Sequence, residues 1–342
     1  MIPSFDRPFT KLHSYFVSFL ERYNLNNKKL VIACSGGGDS ICLAYLMCKH
    51  HSGNLSIVHI CHRLRGNESA NDLDFVTDTV NHFKSRYCRP VELSVIDGEL
   101  GNSSISGIEN AARQIRRNNL ATHAVREKAF GVLMGHNLND QIETYFMRLI
   151  RGADVSGLSG IQPAASLPFS VPLFRPLLKF SRSYIREFLK HEGITWRNDS
   201  TNQSPICLRN RIRLQVVPAL ETNLGQSVGL KLSNHIGYLR VRSRQRNRAI
   251  SQKLLKMEAP RSGAKIILLK KGLKKMSNKG MADIIHYIWK RERWPLGSLT
   301  NKHLVCLCDH LVKGTLLSSL PGKICIEHDD HIIAIGPKNI SI

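Results

Sequence analysis

A short apolar run that ends in three glycines constrains this chain more than any other feature. Residues 29–34 (KLVIAC) suit one buried strand, and Ser35-Gly36-Gly37-Gly38-Asp39-Ser40 follows at once. Apolar residues then recur at Ile41, Leu43, Ala44, Leu46 and Met47 with helical spacing. The reading is strand, glycine loop, helix. Glycines let a backbone close on an anion with no Cβ in the way, and amides at a helix start point toward it. Ser35 and Ser40 add hydroxyl donors. Asp39 would repel phosphate unless a cation lies between them, so the loop implies Mg2+. A Walker A loop would need a Gly-Lys-Ser/Thr ending, and a dinucleotide fingerprint would need a third glycine further on; both are missing. The plainer alternative is a capped glycine turn that holds no ligand.

The alternation continues along the chain. Strands are expected at 55–62, 91–95 and 130–134, and helices at 69–86, 108–128 and 139–151. Alternating elements predict an α/β fold: a Rossmann-like parallel sheet covered by helices on both faces. Ligands in such sheets bind beyond the carboxyl ends of the strands, so the loops after the first, second and fourth strands should meet. A loop rich in Gly, Ser and Pro spans 152–172, and a short helix is expected over 181–192. A break near 222–228 divides a catalytic domain, 1–222, from a smaller domain, 223–342. The latter opens with a long basic helix over 227–257 and continues as an α+β unit.

Charge is placed unevenly. The formal net charge is +23, yet residues 1–100 hold 11 Lys/Arg against 10 Asp/Glu, whereas residues 201–300 hold 21 against 4. Concentration in one stretch predicts a polyanion surface, with nucleic acid as the first candidate and a membrane surface as the second. No apolar run approaches the roughly 20 residues of a membrane helix. The N-terminus carries an acid and does not read as a signal peptide. The nine cysteines form no Cys-x-x-Cys pair, which suits reduced thiols in a cytoplasmic protein without a membrane partner.

SGGxDS after a first strand resembles the PP-loop ATP pyrophosphatase superfamily. Its members cleave ATP between the α and β phosphates and adenylate an acceptor. Four further segments narrow the resemblance: His59-Ile60-Cys61-His62-Arg63-Leu64-Arg65; Glu109 to Arg116 (ENAARQIR); Gly135 to Thr144 (GHNLNDQIET) with its continuation YFMRLIRG; and Trp196 to Asn202 (WRNDSTN) with Arg209-Asn210-Arg211-Ile212-Arg213. With GLSGI at 157–161 and RPLL at 175–178, they are similar to the tRNA(Ile)-lysidine synthetase family. That resemblance implies ATP and Mg2+, free L-lysine and an isoleucine tRNA with a CAU anticodon. ATP would activate C2 of the cytidine at the first anticodon position, and lysine would displace AMP to leave lysidine.

The resemblance implies ATP contacts from Ser35, Gly36, Gly37, Gly38, Asp39, Ser40, Ala33, His59 and Gly135. It implies catalysis by Asp39, Arg113, His136, Asp140 and Glu143. Asp140 and Glu143 lie three apart on a helix and so share a face; with Asp39 they suit Mg2+, the alternative being acids favoured by the helix dipole. His136 suits a phosphate or the base, or a structural role; Arg113 suits phosphate or acceptor, or a solvated helix face. Arg209, Arg211, Arg213, Arg240 and Arg244 are the candidates for tRNA phosphates. The alternating arginines 240–248 cannot all share one helix face. Three departures from the family pattern stand out: Asn139 where Asp is common, Arg63 where Gly is common, and Arg117 where Tyr is common. Relatives carry a further C-terminal domain for which this chain looks too short, so a different grip on tRNA is expected. The alternatives are another PP-loop tRNA-modifying enzyme and a non-catalytic RNA-binding relative.

Overall fold

The expected strands form and pair in parallel. The computed structural model describes residues 9–61, 67–97, 108–197, 207–225, 227–273, 276–295, 299–313, 320 and 322–337. Its first strands are β1 (Leu30–Ala33), β2 (Leu55–Cys61), β3 (Val91–Asp97) and β4 (Gly131–Met134). β5 (Ala164–Ser166) and β6 (Pro172–Phe174) complete a sheet ordered β3-β2-β1-β4-β6-β5, in which β5 alone runs antiparallel. The loop 152–172 therefore holds an edge hairpin. The order grows outward from β1 on one side and from β4 on the other, so the carboxyl ends of β1 and β4 form the switch point where ligands bind such sheets.

Both faces of the sheet are covered, as continuous apolar strands require. Successive strand residues point to opposite faces. Leu30 and Ile32 join a core formed with α1 (Thr10–Arg22), α2 (Gly38–His50), α3 (Asn67–Tyr87) and α7 (Arg182–His191), in which Leu12, Phe16, Tyr45, Phe83 and Phe188 are buried. Val31 points the other way, to Val58, Val132, Leu173 and the Leu120, Ala121 and Ala124 face of α4 (Ile108–Arg126). Two further helices lie between α4 and α7: α5 (Leu138–Ile150) and α6 (Val155–Leu158).

α8 (Leu208–Arg211), a π-helical turn (Ile212–Val216) and α9 (Val217–Leu224) follow one another without a break. Gly225, with φ 87°, turns the chain into α10 (Val228–Leu255). The break read at 222–228 is this turn between helices. The division between the two compact units, Met1–Arg240 and Val241–Ile342, falls further on, inside α10.

The second unit is α+β, as its sequence suggested. β7 (Glu258–Ser262), β8 (Lys265–Leu269), β9 (Ile324–His328) and β10 (Ile332–Pro337) pair antiparallel in the order β7-β8-β10-β9. With α11 (Lys270–Leu273), α12 (Asn278–Arg291) and α13 (Asn301–Lys313) they enclose a core around Ile284, Ile288 and Trp289. All nine cysteines are free thiols. Among the described residues, no helix is long and apolar enough to cross a membrane.

Candidate active site

The glycine loop is shaped by its own neighbours. Past Ala33 the chain takes a left-handed turn at Gly36 (φ 82°) and enters α2, with Gly37 as its N-cap. A side chain is disfavoured at that φ, and a Cβ on Gly36 would also come 3.3 Å from Val76. Ser40 closes the loop: its hydroxyl donates to the Gly37 carbonyl at 2.8 Å and accepts from the Ser35 amide at 3.2 Å. Ser35 is exposed and is the outward-facing hydroxyl. His59 is buried, and its Nδ1 donates to the Cys34 carbonyl at 3.0 Å, which ties the ends of β1 and β2 together. Arg197 holds the loop from outside. Its amide donates to the Gly36 carbonyl at 3.0 Å, and its guanidinium bonds Asp72 of α3 at 2.9 Å. Gly135, just past β4, packs directly on the loop: a Cβ there would lie 2.8 Å from the Asp39 carbonyl oxygen.

The acids of α5 sit at the same place. Asn137 caps the helix, accepting from the Asp140 amide at 3.0 Å while its own amide donates to Asp140 Oδ2 at 2.9 Å. The other oxygen, Oδ1, accepts from Arg209 Nη2 at 2.8 Å. Glu143 is 1% exposed; its Oε2 accepts from Arg209 Nε at 2.7 Å and its Oε1 from Arg213 Nε at 2.6 Å. A third guanidinium, that of Arg182, lies 3.9 Å from Asp39, 4.0 Å from Asp140 and 3.8 Å from Glu143. Arg209 and Arg213, expected on the RNA surface, thus face the acid pair. Arg211 between them is exposed.

Asp39 is short of positive charge. Its Oδ1 is buried without a hydrogen-bond partner. Burial, reinforced by the charge of Asp140, pushes its carboxyl up to about 6. Burial would also lift the Asp140 carboxyl, but Arg209 and the Asn137 amide outweigh it and hold the group below the usual range. Two neighbouring carboxylates, one with an orphaned oxygen, fit a divalent cation. Among the described residues, no three His, Cys, Asp or Glu side chains are placed to hold a metal. A cation here would rest on Asp39 and Asp140 and take phosphate oxygens and water for its remaining positions, as Mg2+ commonly does. Glu143, expected as a ligand, has both oxygens on guanidinium groups.

His136 follows Gly135 and is half-buried. Burial, against the pull of Asp140, and the charges of Arg175, Arg113 and Arg209 hold its pKa well below the usual histidine range, so the ring is neutral. Arg175 donates from Nε to His136 Nδ1 at 3.2 Å and from Nη1 to the Gln162 carbonyl at 2.8 Å. It is 4% exposed, and burial followed by the charges of Arg117 and Arg113 lowers it to about 10. Arg117 in turn donates to the Ser166 carbonyl of β5 at 2.9 Å. The carboxyl end of β4 is therefore rimmed by Arg113, Arg117 and Arg175. Of these, Arg175 was visible in the sequence only as part of RPLL, with no role attached.

Asn139 accepts the Arg182 amide at 2.9 Å and so fixes the first residue of α7. The position needs an acceptor, which either Asn or Asp supplies. Gln141 holds both polar groups of the Ile161 peptide, donating to its carbonyl at 2.9 Å and accepting from its amide at 2.7 Å. Arg240 donates to the same carbonyl at 3.0 Å and so turns inward. Arg246 pairs with Asp283, whereas Arg242, Arg244 and Arg248 are exposed. The alternating arginines divide between two faces, as a helix requires.

Residues 9–220 match the profile of the PP-loop domain. The chain belongs to the PP-loop family. Curated relatives of this PP-loop chain include the tRNA(Ile)-lysidine synthase of Clostridium tetani (strain Massachusetts / E88), 30% identical over 224 residues, which are 64% of this chain and 46% of the relative. That of Symbiobacterium thermophilum is 34% identical over 223 residues, 63% of this chain and 44% of the relative. That of Lactiplantibacillus plantarum is 36% identical over 199 residues, 56% and 42% of the two chains. The chain spans less than half the length of these relatives. Among solved structures, the U34-tRNA thiolase NcsA from Methanococcus maripaludis aligns with a TM-score of 0.55 at 21% identity, covering 68% of this chain and 79% of that one; the likeness is one of fold. Of the segments that carried the sequence resemblance, 62–65 and 198–202 lie outside the described residues, as does Pro321.

Proposed function

We propose that this PP-loop protein makes lysidine. ATP adenylates the C2 oxygen of the cytidine at the first anticodon position of a CAU-reading isoleucine tRNA. The amine of free L-lysine then attacks C2, and AMP departs with the oxygen. The observation that carries this reading is the cluster at the switch point: the glycine loop, the acids Asp140 and Glu143, and the guanidiniums of Arg182, Arg209 and Arg213 stand side by side. A loop that cradles pyrophosphate supplies the activation half of the reaction. A cell containing both signs of charge suits a zwitterion that carries a carboxylate and ammonium groups. The shared names of the relatives support the acceptor.

In this reading the C2 oxygen attacks the α-phosphorus and pyrophosphate leaves into the Ser35–Ser40 loop. Mg2+, held by Asp39 and Asp140, would neutralise charge on the phosphates when bound. His136 and Arg113 act at the acceptor side, as donors to developing negative charge. Arg211 and Arg244, both exposed, remain the candidates for tRNA phosphates, whereas Arg209, Arg213 and Arg240 organise the protein itself. A cytoplasmic setting follows from the substrates, since ATP, lysine and tRNA meet there.

The test is incubation with ATP, Mg2+, labelled lysine and minor isoleucine tRNA. Label in the tRNA, with one AMP released per lysine, is the expected result. Asp39→Ala should abolish AMP release and leave tRNA binding intact. AMP release without lysine incorporation would point to another PP-loop modification. Binding without either would sink the reading.

A further inference from the structure

We infer that Arg175 fixes the tautomer of His136, so that this ring serves the reaction as a neutral hydrogen-bond donor from Nε2 and not as an acid or base. Arg175 is a positioning residue in this scheme; His136 is the group that meets the substrate. The reactive role rests on the function proposed above, but the tautomer does not.

A guanidinium has donors only. Arg175 Nε lies 3.2 Å from His136 Nδ1, so Nδ1 must present its lone pair. In a neutral imidazole the single proton then sits on Nε2. The more common histidine partner, a carboxylate or carbonyl, does the opposite: it fixes the proton on Nδ1 and leaves Nε2 free to act as a base. Substituting an arginine for that partner inverts the chemistry of the outward nitrogen.

The pair is held in place. Arg175 is 4% exposed, with Nη1 on the Gln162 carbonyl at 2.8 Å and its own amide on the Pro163 carbonyl at 2.9 Å. The His136 amide donates to Met134 at 3.0 Å, at the end of β4. Among the described residues, nothing hydrogen-bonds Nε2. That N–H therefore stands beside Gly135 and the PP-loop ready to donate, and the chemistry it fits is an oxygen gaining negative charge, on the α-phosphate or on C2.

Labelling the full-length protein with [15N]histidine tests this. His136 is assigned by the resonances that vanish in His136→Gln. Two-bond 1H–15N spectra of the wild type should show the Nε2–H pattern from mildly acidic to mildly alkaline pH. An Nδ1–H pattern, or an imidazolium at neutral pH, overturns the inference without any variant. Arg175→Met should release the lock and give mixed tautomers; Arg175→Lys, which keeps a donor, should preserve it and serves if the methionine variant does not fold. An unchanged Nε2–H signature in Arg175→Met removes the positioning role. In AMP release, His136→Gln, whose amide can donate from the same place, should stay within about tenfold of wild type, whereas His136→Ala should fall by about 100-fold. Equal loss in both overturns the donor role. A wild type that releases no AMP counts against the proposed function, and the spectra still decide the tautomer.

Discussion

Arg209 meets Glu143 through Nε at 2.7 Å, and this orientation leaves its Nη2 to reach Asp140 at 2.8 Å. One planar fork thus sets the separation of two acids. An ammonium is a point charge and cannot span both. Arg209→Lys should keep the fold within about 1 kcal/mol and lower AMP formation by about 100-fold, because geometry rather than charge is lost. Thermal unfolding beside a single-turnover assay separates the two effects; equal activity in the variant would show that the fork is not needed.

Glu143 is the better probe of stability. It is buried between Arg209 and Arg213, and Glu143→Gln leaves both guanidiniums without their counter-charge. Removing one partner of a buried pair costs about 3 kcal/mol, so urea unfolding should shift by that amount.

Gly135→Ala should act on ATP. The new methyl would lie 2.8 Å from the Asp39 carbonyl oxygen and 3.1 Å from the Ser40 amide, and backbone cannot yield as a side chain does. The expected result is a loss of about 1–3 kcal/mol in stability and a KM for ATP raised by at least about tenfold. Gly193→Ala is the control. It also has positive φ, 69°, but nothing stands within 4 Å, so only about 1 kcal/mol of stability and no KM should change.

Asn139 looked like a weakened catalytic acid. Since its oxygen accepts the Arg182 amide, Asn139→Asp should leave AMP formation within about threefold, whereas Asn139→Leu, which orphans that amide, should cost about 1 kcal/mol. A large gain of activity in Asn139→Asp would show that the missing carboxylate matters after all.

A pH dependence of stability follows from His13 and His50, whose Nδ1 and Nε2 lie 2.8 Å apart. Burial lowers both, and with His13 and Lys49 nearby His50 falls to about 4, from an ordinary 6.5. The unfolded chain therefore binds more protons between those values. Stability is complete above about pH 6.5 and is lost as pH falls toward 4. Both side chains are only partly buried, so the loss from this pair should be about 1–2 kcal/mol. His50→Gln should flatten that slope in unfolding measured across the range.

The doubly covered sheet was legible because β1, β2 and β4 are apolar on both faces and each leads into a helix. Helix α1 was not read. Leu12, Phe16, Phe19 and Leu20 have helical spacing, but Tyr15, Phe16, Val17 and Phe19 suit a strand as well. The three-residue strands β5 and β6 are too short to leave a pattern. At the site, the loop and the acids stood out by residue type and spacing. The roles of the arginines did not, because an arginine's partner is a matter of folding: Glu143 lies 66 residues before Arg209, and His136 lies 39 before Arg175. Charge density alone assigned Arg209, Arg213 and Arg240 to RNA, and only packing separates them from Arg211 and Arg244.

The π-helical turn between α8 and α9 carries a further consequence. A π turn holds one residue more than an α-helical turn would. Deleting any one residue of Ile212–Val216 would restore a regular helix, and everything after it would rotate by about 100°. Arg209 would keep its grip on the acids, while Val217, now buried with Leu138, Ile142 and Ile212, would swing out of that core. The segment thus behaves like a reading frame: single insertions or deletions there should be far less tolerated than substitutions, and a second, compensating one nearby should rescue them.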